Sequence, residues 1–218
     1  PTKYNAAYAS WNQNDAYLRG LGNGLHKGIE VMWTGAGVAD MINQSDLDFF
    51  KTATNGMAPF IWLNYPVNDY CIGHMLMGKF YGNDQGDNAF GGKMTAFTSN
   101  PMEYAEASKV ALYGVADYAW NMKDYNPEAN WERAIKYLMP NNAEAYHVFC
   151  EHNVDLGWTV HGMRREGESP NFNADGTLAE KKAQFDLMVT SADALLADTY
   201  NPALITEITP WLQKMKYM

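Results

Sequence analysis

Phe60-Ile61-Trp62-Leu63-Asn64-Tyr65-Pro66-Val67-Asn68-Asp69-Tyr70 begins as an apolar run and turns abruptly into aromatic, amide and carboxylate side chains. A continuous apolar run is the pattern of a parallel strand covered on both faces. Active sites of α/β barrels are built where such strands end, so the polar groups are expected at the mouth of a site. Two further segments repeat the change. Ile29-Glu30-Val31-Met32-Trp33 passes into Thr34-Gly35-Ala36-Gly37-Val38, and Met94-Thr95-Ala96-Phe97-Thr98 passes into Ser99-Asn100-Pro101.

Side chains at equivalent ends of adjacent parallel strands converge, which gathers Thr34, Asn64, Asp69 and Asn100 as candidates for one pocket. Amide and carboxylate groups there can hold several sugar hydroxyls, and Trp62 offers a flat wall for a ring or an acetyl methyl. Each residue also has a plainer reading: Asn100 as a helix N-cap, Asp69 as a turn former, Trp62 as a core ring. Their recurrence at successive strand ends is what argues for a site.

Around these strands the sequence reads as helices and loops. A short helix is expected near 17–22, and Ser45 reads as the cap of a helix reaching Thr54. The pattern over 102–120 is helical, with Ser99 or Asn100 as N-cap, Pro101 in the first helical position and Glu103 in the first turn. The glycine-rich stretch 78–92 is long for an irregular connection, and such loops are usually functional. After Asp124 strands cease: 131–138, 143–153, 178–196 and 208–218 read as helices, with a polar connector over 158–176. Alternation followed by helices alone divides the chain into an α/β part, 1–123, and a helical part, 124–218. Three strands and a strand tail at Pro1-Thr2-Lys3-Tyr4 cannot close a barrel of eight, so the α/β part is expected to be incomplete in this chain.

Composition narrows the partners. With 47% hydrophobic and 19% charged residues the 218-residue chain has the balance of a folded globular protein. A formal charge of −9 without clustered Lys and Arg argues against nucleic acid. Aromatic content of 14% suits both large cores and the faces of pyranose rings. Cys71 and Cys150 are too few to staple a fold of this size, and no apolar run is long enough to span a bilayer.

Familiar catalytic signatures are missing: no adjacent acidic pair, no Gly-x-Ser-x-Gly, no phosphate-binding glycine loop of standard spacing and no His-Glu-x-x-His. No cofactor and no metal site are therefore expected. His147 and His152 would diverge on a helix, and Asp84 and Asp87 read as turn residues. Glu103 and Glu106 would share a helical face, and Glu166 and Glu168 beside Arg164 and Arg165 read as a solvated loop.

Val31-Met32-Trp33-Thr34-Gly35, Ile61 through Tyr70, and Asn100-Pro101-Met102-Glu103-Tyr104-Ala105-Glu106 closely resemble successive blocks of the family 84 glycoside hydrolases. These are bacterial and animal β-N-acetylglucosaminidases, among them protein O-GlcNAc hydrolases and clostridial enzymes called hyaluronidases. The likeness continues through Ala116-Asp117-Tyr118-Ala119-Trp120-Asn121, Glu151-His152-Asn153-Val154-Asp155-Leu156-Gly157 and Glu207-Ile208-Thr209-Pro210-Trp211, and so spans nearly the whole chain.

The resemblance implies a partial (β/α)8 barrel, from the end of strand five through strand eight and its helix, followed by an α-helical region. It implies hydrolysis of terminal β-linked N-acetylglucosamine by a retaining, substrate-assisted route through an oxazoline. Tyr4 would lie beside the anomeric centre and the acetamido group, Thr34 and Val38 along the pocket, and Trp62 against the acetyl group. Asn64, Asp69 and Asn100 would hold ring hydroxyls. Leu63 departs from the second Trp common in close relatives. The adjacent Asp pair that performs the family's chemistry is absent here, so no catalytic residue is assigned in this chain. The implied partners are a glycan or glycoprotein carrying N-acetylglucosamine and a missing N-terminal half of the barrel. The implied location is secreted, periplasmic or cell-surface in a bacterium.

Overall fold

The computed structural model describes residues 11–35, 42, 44–69, 72–80, 93–154 and 176–217. They fall into two compact units, one drawn from 1–65 and 82–100, the other from 66–81, 101–158 and 164–218.

The first unit contains α1 (Trp11–Gly24), β1 (Met32–Trp33), α2 (Gln44–Ala53), β2 (Phe60–Pro66) and β3 (Ala96–Asn100). The sheet order is β1-β2-β3, and β1 runs parallel to β2 with Met32 opposite Phe60 and Trp33 opposite Ile61. Helix α2 makes the crossover. Its Leu47, Phe50 and Ala53 recur at helical spacing and are buried, and the Phe50 ring meets Trp33 at 4.9 Å. The helix ends in a left-handed turn: Asn55 (φ 57°) and Gly56 (φ 99°) return their N–H groups to the carbonyls of Thr52 and Lys51.

Several boundaries shift from the sequence reading: the helix expected near 17–22 spans Trp11–Gly24, β1 is confined to Met32–Trp33, and β3 runs on to Asn100. Helix α2 starts at Gln44, which puts Ser45 inside its first turn. Strand β2 continues past Asn64 to Pro66, because Tyr65 is buried and its carbonyl accepts from the Ser99 hydroxyl of β3. Asn64 therefore stands within a strand.

The second unit contains α3 (Ala105–Trp120), a 3-10 turn (Met122–Asp124), α4 (Pro127–Leu138), α5 (Ala143–Glu151), α6 (Leu178–Leu196) and α7 (Pro202–Lys216). Helix α3 packs on α4 and α7, α4 on α5, and α6 on both α5 and α7. Local caps begin several of them. Asn126 accepts from Ala129 N–H ahead of Pro127, and Thr177 and Glu180 form a reciprocal capping box.

Helix α3 is different. It starts at Ala105, later than expected, and Tyr104 supplies no side-chain cap. The orphan N–H groups of Glu106 and Ala107 donate instead to the two carboxylate oxygens of Glu207 on α7, at 3.2 and 2.8 Å. Neither Asn100 nor Ser99 is the cap, and Glu103 precedes the helix.

Helix α7 begins at Pro202, with Asn201 accepting from Leu204 N–H, and runs through Pro210. An internal proline costs about 3 kcal/mol. Leu204, Ile205, Ile208, Leu212 and Met215 are buried on either side of it, and at roughly 1.5–3 kcal/mol each they outweigh that cost.

Residues 72–80 form neither helix nor strand, yet Met75, Leu76, Met77 and Phe80 are buried. Their backbone is satisfied from several helices and connections. Met77 N–H donates to Asn153 O at 2.7 Å, Trp131 Nε1 to Met77 O at 2.9 Å, and the Tyr125 hydroxyl to Phe80 O. Phe80, Tyr118 and Tyr125 make edge-on and tilted ring contacts, with Gly114 leaving the room they need.

Cys150 is a free, buried thiol beside Tyr146, and burial pushes both groups well above their ordinary values. Cys71 lies outside the described residues. Burial also lowers the His152 imidazole below its ordinary 6.5, outweighing the opposite pull of Glu151. The unfolded chain then binds that proton more tightly, so stability from neutral His152 is complete above about pH 6.5 and declines as pH falls below it. Urea midpoints measured at about pH 7.5 and 5.5 are expected to show a smaller acid loss in His152→Gln than in the parent.

Candidate functional site

Alternate residues of a strand point to the same side, so β2 presents Trp62 and Asn64 together while Ile61 and Tyr65 face a buried side. Trp62 is 38% exposed and Asn64 only 8%. The indole is thus an open wall, which removes the reading of Trp62 as a core ring.

Trp62 Nε1 donates to Asn64 Oδ1 at 2.8 Å, and Asn100 Nδ2, from the last residue of β3, donates to the same oxygen at 3.0 Å. Two donors on one carbonyl oxygen define both amides. Asn64 directs its Nδ2 away as a donor, and Asn100 keeps its Oδ1 as an acceptor. Trp62→Phe retains most of the apolar wall but removes one of the two bonds that orient Asn64. It is expected to cost about 1 kcal/mol of stability and to shift the Asn64 side-chain amide resonances, read by denaturation and NMR.

Thr34 directly follows β1 and is half-buried. Carrying the β1–β2 register on by one residue sets it beside Trp62. Asp69 belongs to the other unit, where it is exposed in a turn next to the buried Asn68. Tyr4 and Val38 lie outside the described residues. The structure thus brings together Trp62, Asn64 and Asn100. The sequence reading missed Ser99, which ties β3 to β2, and Asn68, whose amide donates to His74 O and closes the turn carrying Asp69. Asn68 did carry a signal, since it stands in the same polar cluster.

Among the described residues no group of His, Cys, Asp and Glu could hold a metal ion. His147 lies 3.0 Å from both Glu132 and Glu151 and edge-on to Trp131, its two ring nitrogens each facing a carboxylate. Glu106 pairs with Lys109. Asp84, Asp87, Glu166 and Glu168 lie outside the described residues. The Trp62, Asn64 and Asn100 cluster is neutral and contains no group that could transfer a proton near neutral pH.

A family model described as beta-N-acetylglucosaminidase matches residues 1–151. The chain belongs to this β-N-acetylglucosaminidase family. Among curated members, the mouse (Mus musculus) protein O-GlcNAcase is 30% identical over 121 residues, covering 54% of this chain and 13% of that protein. Among solved structures, that of CpGH84B superposes with a TM-score of 0.77 at 27% identity, covering 92% of this chain and 37% of that one. A variant O-GlcNAc hydrolase of Thermobaculum terrenum gives 0.77 at 26% identity, covering 93% and 45%. The chain therefore spans less than half the length of each of these relatives. A small parallel sheet with helices is shared with the family's structures. No helix among the described residues is long and apolar enough to cross a membrane.

Proposed function

We propose that this chain is the sugar-binding wall of a β-N-acetylglucosaminidase. It would form the later strands and helices of a (β/α)8 barrel, from the end of strand five through strand eight, with helices following. The observation that carries the reading is the pair of amides oriented around Asn64 Oδ1 beside an exposed indole. An amide acceptor on Asn100 and a flat apolar face on Trp62 together suit a ring that carries hydroxyls and an acetamido group.

In this reading Asn64, Asp69 and Asn100 hold ring hydroxyls, Trp62 walls the acetyl group, and Thr34, Val38 and Tyr4 line the remaining contact. The acetamido oxygen attacks the anomeric carbon as the glycosidic oxygen leaves with a proton, forming an oxazoline that water then opens. The carboxyl groups that orient the acetamido and protonate the leaving oxygen come from an Asp pair outside this chain. An exported, bacterial setting belongs to the same proposal.

Ligand-observed NMR with N-acetylglucosamine, alongside a chromogenic β-N-acetylglucosaminide assay on the same sample, tests the reading. Saturable binding without turnover is the expected result, with binding weakened in Asn64→Ala. Turnover by a single species of the chain's mass would overturn the placement of the acid pair, and absence of binding would overturn the sugar wall.

A further inference from the structure

Asp69 sits in a turn that is held from one side by its own neighbour. Asn68, only 2% exposed, donates its Nδ2 to His74 O and so ties the residue before Asp69 to the residue after Gly73. The returning limb of that turn is held from a distant part of the sequence. Trp211 Nε1, on α7, donates to Gly73 O at 3.2 Å.

The indole is itself held in place. Tyr104 meets it edge-on with ring centroids 4.8 Å apart, and Lys214 Nζ lies 5.6 Å from its centre. Glu207, one turn earlier on the same helical face, caps α3 through Glu106 and Ala107. Beyond Gly73 the chain becomes the buried segment containing Met75, Leu76 and Met77, whose hydrogen bonds to Met102 Sδ, Asn153 O and Trp131 Nε1 allow no slack.

We infer that Trp211 is a positioning residue: α7 braces Gly73, and through the bond between the adjoining His74 and Asn68 it sets where the Asp69 carboxylate is presented. The inference rests on Asp69 being a sugar ligand, as proposed above. A hydrogen bond from a part-exposed indole to a loop carbonyl adds little to global stability. Its effect is to remove conformations of the turn, which strengthens ligand capture by lowering the ordering cost on binding.

The test compares the chain with Trp211→Phe, which keeps an aromatic ring against Tyr104 but has no N–H. Hydrogen exchange by mass spectrometry is read over residues 68–76 and over α3, and N-acetylglucosamine affinity is read by NMR in the parent and Asp69→Asn backgrounds. Exchange over 68–76 is expected to quicken roughly fivefold, the effect of one hydrogen bond, with α3 unchanged. Affinity is expected to weaken by a similar factor in the parent background and not to weaken further in Asp69→Asn, since both changes act through one group.

Unchanged exchange over 68–76 would overturn the brace, as would a uniform acceleration that includes α3. Equal weakening in both backgrounds would overturn its link to Asp69. If the parent binds no N-acetylglucosamine, the functional reading falls, while the exchange comparison still decides whether α7 braces the turn.

Discussion

Glu207→Ala is expected to destabilise the helical unit by roughly 2–4 kcal/mol, because a charge-assisted double cap is removed and two helix N–H groups lose their partners. The carboxylate also meets the positive end of the α3 dipole. Helix α3 contributes Ala107, Val110, Ala111, Val115 and Tyr118 to the core, so a loosened first turn is transmitted to its packing. Glu207→Gln retains one carbonyl acceptor without the charge and is expected to lose about half as much. Urea denaturation followed by circular dichroism decides this, and equal midpoints for the parent and Glu207→Ala would show that water replaces the cap at no cost.

Gly22→Ala is expected to do comparable or greater damage in the other unit, about 3 kcal/mol or more. A Cβ at Gly22 would lie 2.1 Å from the carbonyl oxygen of Thr54 and 2.3 Å from its carbon. That carbonyl cannot turn aside. Thr54 is buried, its N–H and hydroxyl both bond to Phe50 O at 2.9 and 2.7 Å, and Asn55 and Gly56 follow in left-handed conformations that close α2. Helix α1 would have to retreat from α2. Gly20→Ala is the control, because nothing lies within 4 Å of a Cβ there and an alanine in a helix is favoured by about 1 kcal/mol over glycine. The two alanine variants should therefore differ in the sign of their melting shifts, and matching shifts would reject the steric account.

The same contrast between local and distant causes separates what the sequence disclosed from what it hid. Helix α6 was legible over 178–196 because its start is a capping box, a signal contained in Thr177 and Glu180. Strand β2 was legible from its apolar run, and Trp62, Asn64 and Asn100 from the abrupt polarity that follows such runs. Helix α7 was read through Pro210 but with its start at 208 in place of Pro202, and the burial that carries it past the proline comes from residues on both sides. Asn201-Pro202 was a local start signal left unread. Asn100 looked like a cap because the real one, Glu207, comes from a hundred residues away. The stretch over 72–80 has no period to read, since the partners of its backbone come from distant parts of the chain. The orientation of the Asn64 amide was likewise invisible, being set by two donors that meet only in the folded sheet.

That shared oxygen also decides which way round three side chains stand. An indole N–H can only donate, so Asn64 turns its carbonyl oxygen to Trp62, and Asn100 meets the same oxygen with its NH2. A half-turn of the Asn64 amide would set donor against donor at both contacts. One group that cannot accept thus settles the facing of two that could point either way, across two strands and with no charge involved.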